Sequence, residues 1–161
     1  MLACLLLLPV NGYAEHPLDP HAPPQDASLQ LSPELAGSLR QEMKAVEQGM
    51  QALVPAIVAG NWQDIIAAGE NIRDSYILKQ QLTDTQRKAL HRELPAAFLE
   101  LDQSFHHAAG MLAHAAQQQN AEVVNFYFYK LMDACVACHR KFAGHRFPGL
   151  SGEAEATGHR H

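Results

Sequence analysis

Cysteine is scarce in this chain, with three among 161 residues. Cationic side chains are also few: 12 Lys and Arg stand against 17 Asp and Glu, giving a formal net charge of −5 without a basic stripe. A nucleic-acid partner is therefore not expected. The one long apolar run, residues 2 to 10, is too short to cross a bilayer, and no second run approaches that length, so no membrane span is expected. Nowhere do four or more residues alternate between apolar and polar, the mark of a half-buried strand.

Two of the three cysteines are gathered in DACVACHRKF, residues 133 to 142. Cys135 and Cys138 are three apart and His139 follows at once. This spacing fits a redox disulfide, half of a zinc site, or thioether attachment of a haem across its two vinyl groups. Only the last chemistry calls for the histidine. On a helix, positions i and i+3 grip one edge of the porphyrin, and the imidazole at i+4 lies one turn on along the same face. A zinc site would want a second cluster of Cys or His, and the only other cysteine is Cys4. A thioredoxin-like pair would follow a strand in a βαβ pattern, which is absent. The motif predicts one covalent haem c on Cys135 and Cys138, with His139 as proximal iron ligand.

The N-terminus agrees with a compartment where such attachment occurs. After the apolar run, Gly12-Tyr13-Ala14 places small residues at minus three and minus one of a cleavage site, predicting a signal peptide over residues 1–14. The positively charged start of such a peptide is missing, so the expected reading is a signal truncated at its beginning. Cys4 precedes the apolar run instead of following it, which argues against a lipid anchor. Export to the periplasm is the expectation, and removing the signal leaves about 147 residues, enough for one domain. Both remaining cysteines lie in the motif, so no structural disulfide is expected.

Residues 15–31 carry four prolines and no periodicity, predicting an extended leader. Ser32-Pro33 opens a helix with apolar residues at Leu35, Leu39, Met43, Val46, Met50, Leu53 and Ile57; Pro55 should bend or loosen its last turn and Gly60 should end it. Asn61 and Asp64 cap a second helix whose inner side is Trp62, Ile65, Ile66, Ala68, Ile72, Tyr76 and Ile77. Thr83 and Gln86 form a capping box for a short helix that Pro95 interrupts. Phe98, Leu101, Phe105, Ala108, Leu112 and Ala115 mark the next helix, and the last runs from about Ala121 to Phe142 with Val124, Phe128, Leu131, Met132 and Cys135 inward. The prediction is all-α: an antiparallel up-and-down four-helix bundle over residues 32–146, the motif in its C-terminal helix, and a flexible tail at 147–161.

This arrangement resembles the class II c-type cytochromes, the cytochrome c-prime group, over roughly residues 33 to 146. The resemblance is carried by PAAFLELDQSFHHAAGMLAHAA and FYFYKLMDACVACHRKF, with Pro95, Phe128 and Phe142 at family-like distances from the motif. It implies haem on Cys135 and Cys138, His139 as proximal ligand, and a sixth-ligand position on the first helix. High-spin members place an apolar residue there and leave the iron five-coordinate; low-spin members place a methionine. Met43-Lys44 resembles the low-spin pattern, so Met43 is the candidate sixth ligand. Five-coordinate iron and a histidine from the third long helix, where His106 and His107 flank the inward stripe, stay open beside it. The resemblance further implies a homodimer through the first two helices, with Trp62, Ile65 and Ile77 as candidate contact residues.

Phe128, one heptad before Cys135, is the candidate for haem packing. Arg40 and Lys44 are candidate partners of the propionates, against their ordinary reading as surface charges. His114 reads as a surface residue, and His16, His21, His145, His159 and His161 as solvated ends. No paired carboxylates or nucleophile–base arrangement stands near the motif, so an enzyme is not expected. Two functions follow for such a haem: electron carriage between redox partner proteins, or capture of a diatomic gas such as nitric oxide or carbon monoxide at an open iron.

Overall fold

The computed structural model describes residues 29–75 and 83–150. The expected signal peptide, most of the leader, Tyr76, Ile77 and the end of the tail lie outside the described residues. Those described form five α-helices and no strand: α1 Pro33–Ala59, α2 Trp62–Asp74, α3 Asp84–Glu93, α4 Ala96–Gln117 and α5 Ala121–Phe142. Two 3-10 turns follow, Gly144–Arg146 and Pro148–Leu150. None of the described helices is long and apolar enough to cross a membrane.

The helix ends are set by local chemistry. Pro33 takes the first position of α1, where its missing N–H costs nothing. Gly60 adopts φ 66°, and the N–H groups of Gly60 and Asn61 donate to the carbonyls of Ile57 and Ala56, a Schellman closure. Asn61 Oδ1 accepts from the Asp64 N–H at the start of α2. Thr83 and Gln86 exchange both bonds of a capping box on α3. Pro95 separates α3 from α4 because its ring disfavours helical geometry at Leu94, which is extended at φ −95°, ψ 127°. Pro55 does not stop α1, which continues to Ala59; so near the end, it removes a single helical hydrogen bond.

α2 packs along α1 and α4, and α4 packs along α5, whereas α1 and α5 meet at few places. The larger core cluster joins Val46 and Leu53 of α1, Ile65 and Ile72 of α2, Phe105 and Leu112 of α4, and Val124 and Leu131 of α5. A smaller cluster joins Leu35, Leu90, Leu94, Phe98 and Phe142, and the last leader residues, Leu29 and Leu31, pack against it. Gly49 sets the rotation of α1: a Cβ there would stand 2.5 Å from Ile72 Cγ1, so this side of α1 faces α2 at close range.

The buried stripe of α1 is therefore turned from the expected one. Leu35, Glu42, Val46, Gly49, Leu53 and Ala56 are buried, while Leu39, Met43, Met50 and Ile57 form a half-buried flank. Close approach at Gly49 draws α1 toward α2 and rolls the bulkier residues to the rim. On α5, Met132 is exposed, contrary to its expected inward position. Ile65 is buried against the core and unavailable for a subunit contact; Val54 and Val58 are exposed instead.

Candidate functional site

The motif occupies the last two turns of α5. Asn120 caps the helix by accepting from Val123 N–H (3.1 Å), and a full helix places Cys135, Cys138 and His139 on one side. Both cysteines are free thiols and half-buried. Cys135 packs on the larger core cluster and Cys138 on the smaller one, so the pair bridges the two. Burial raises both thiol pKa values, Cys138 to about 11 with Asp102 and Cys135 adding their charge. A redox or nucleophilic pair needs the opposite shift, a stabilised thiolate.

His139 is half-buried, and burial followed by the charge of Arg146 holds its pKa below the ordinary imidazole value. This favours the neutral ring that a metal ligand requires. The chain beyond α5 turns back over this residue. The Phe147 ring stacks on the His139 ring at 4.2 Å and 4°, and Arg140 Nε donates to the Leu150 carbonyl (3.1 Å). Residues 147–150, assigned to the tail by sequence, thus belong to the site.

The half-buried flank of α1 carries Leu39, Met43, Met50 and Ile57. Because Gly49 faces α2, Met43 and Met50 lie together on a flank of α1 turned aside from that contact. Met43, Met50, Phe128 and Cys135 are all half-buried and pack against the larger cluster. Arg40 and Lys44 are exposed. The residues of the motif fit a covalent haem: two protonated thiols at i and i+3 and an imidazole kept neutral at i+4.

A second polar constellation lies deeper, and the sequence reading did not anticipate it. Glu42 of α1 and Asp102 and His106 of α4 are 1%, 6% and 3% exposed. His106 Nδ1 donates to the Ile72 carbonyl of α2 (2.7 Å), while Nε2 lies 2.9 Å from Glu42 Oε1 and 3.5 Å from Asp102 Oδ1. Burial opposes the imidazolium, but the hydrogen bonds to Asp102 and Glu42 outweigh it and raise the His106 pKa to about 9. With both ring nitrogens engaged, His106 would have to break one of these bonds to reach an iron. His107 and His114 are exposed. A signal for the constellation did exist. Asp102 and His106 are spaced i, i+4 within the apolar stripe of α4, and Glu42 stands one heptad from both Leu35 and Gly49. A charge at a stripe position needs a buried partner.

No family model matches the chain, and no curated protein or solved structure matches it either.

Proposed function

We propose that this protein is an exported monohaem c-type cytochrome of the class II kind, in which α1, α2, α4 and α5 form an antiparallel four-helix bundle and one haem c is held by Cys135, Cys138 and His139. The observation that carries the reading is the CVACH pentapeptide on the last two turns of α5, with both thiols half-buried and the imidazole stacked under Phe147. When bound, the haem supplies an iron that exchanges one electron between its ferrous and ferric states. The chain does the rest. His139 would ligate the iron through one ring nitrogen, Phe147, stacked on that ring, would hold its orientation, and the half-buried Met43, Met50 and Phe128 would add apolar surface that excludes water. A dry, rigid surround limits rearrangement as the charge changes, which suits electron transfer with periplasmic redox proteins.

A second reading, capture of nitric oxide or carbon monoxide at five-coordinate iron, is favoured by the same rim. If Met43 packs without ligating, an iron held by His139 would be left open to a small ligand among apolar side chains. Carbon monoxide separates the two. The reduced holoprotein is expected to keep its low-spin spectrum under the gas, and Met43→Ala to become high-spin and gas-sensitive. A wild-type spectrum that is high-spin and shifts with carbon monoxide would replace the carrier by the gas binder. A homodimer through α1 and α2 belongs to the reading as well, with Val54 and Val58 as its exposed apolar area.

A further inference from the structure

The Glu42–Asp102–His106 constellation has the composition of a cation site independent of the haem reading. Ligand atoms of the three side chains all lie within 4.8 Å of one another, contributed by two helices and enclosed by a third. Two carboxylates and an imidazolium leave a net negative charge in a buried site. Two carboxylates, a neutral imidazole and a divalent ion leave none, and a buried uncompensated charge is costly. The hydrogen bond from Nδ1 to the Ile72 carbonyl fixes the proton on that nitrogen. Nε2 faces both carboxylates, and an ion that displaces its proton would find its lone pair there, with the Nδ1 bond as the outer-shell partner typical of metal-binding histidines.

The spacing agrees. Donors on a tetrahedral ion with bonds of about 2.0–2.1 Å stand about 3.3 Å apart. The two Nε2–oxygen separations, 2.9 and 3.5 Å, bracket that value. Asp102, 6% exposed, directs Oδ1 at His106, and its second oxygen, Oδ2, is buried and accepts no hydrogen bond among the described residues. A cation bound at this carboxylate would compensate that buried, otherwise unpartnered oxygen. We propose that Glu42, Asp102 and His106 bind one divalent first-row ion, zinc fitting the nitrogen and oxygen donors best, taken up as α1, α2 and α4 close around it. The cation would tie α1 to α4 beside the haem motif.

The test uses the full-length exported protein from cells grown with added zinc, desalted and subjected to elemental analysis, with haem iron counted separately. About one zinc per chain is expected, falling roughly tenfold in the near-isosteric Asp102→Asn. Zinc-edge X-ray absorption of the wild type should show one imidazole with oxygen neighbours and no sulfur. That measurement decides the matter even if the variant does not fold. Three results overturn the proposal: zinc well below one per chain in the wild type, zinc undiminished in a folded Asp102→Asn (the mark of the His-rich ends), or sulfur in the shell (the mark of Cys135 and Cys138).

Discussion

Two polar sites stand close together in this fold and differ in how the chain builds them. CVACH takes its three residues from two turns of one helix, half-buried and covered by a returning segment. Glu42, Asp102 and His106 are drawn from α1 and α4 against a carbonyl of α2, and are almost fully enclosed. The first site exists once α5 is a helix. The second exists only when three helices have docked, so it is part of what docks them. A site on one element presents its chemistry to something that arrives; a site shared by several elements makes their arrangement specific.

Breaking the shared site should have the largest effect. Glu42→Ala removes the nearest carboxylate from a buried imidazole and should lower unfolding free energy by about 3 kcal/mol or more in urea titration. Glu42→Gln, which still accepts a hydrogen bond at the same position, should lose less. Loss below about 1 kcal/mol in the alanine variant would mean that the bond does not hold α1 to α4.

Titration sharpens the contrast next. In the metal-free protein the folded-state pKa of His106 is raised to about 9, above its unfolded value of about 6.5. A raised pKa stabilises fully below the unfolded value and is lost as pH rises through the folded one. Thermal midpoints should therefore decline between about pH 7 and pH 9, and His106→Gln should flatten the decline. An equal slope in that variant would place the titration elsewhere. In the haem-free chain Cys135 and Cys138, their pKa values raised by burial, contribute in the same sense at higher pH, because an unfolded thiol ionises before the buried one does.

A smaller effect is expected at the close approach of α1 to α2. Gly49→Ala puts a methyl into the Ile72 side chain (2.5 Å), and overpacking should cost about 1–3 kcal/mol, offset by up to about 1 kcal/mol of helix propensity. A more stable variant would show that Ile72 simply turns aside.

Legibility in the sequence follows the same division. Helix ends were readable because each depends on neighbours: Gly60, Asn61 with Asp64, Thr83 with Gln86, and Pro95 all act where expected. The cysteine–histidine motif was readable for the same reason. The rotation of α1 was not, because it is decided by Gly49 meeting Ile72 in another helix. Turning α1 buried Glu42 and moved Met43 from the core stripe to its rim. Met132 was expected inward for its hydrophobicity, yet it is exposed on α5. Asp102 and His106 stood in the stripe of α4 as a visible anomaly, but their third partner lies in a helix sixty residues earlier, beyond any local pattern.

The central claim is a covalent haem on α5, and the intact mass of the exported chain under denaturing conditions tests it most directly. The account predicts a chain heavier by one haem that denaturant and organic solvent do not remove, with the increment lost when Cys135 and Cys138 are both replaced by serine. A chain exported beside a working attachment machinery, yet carrying the unmodified mass and two titratable thiols, would contradict it.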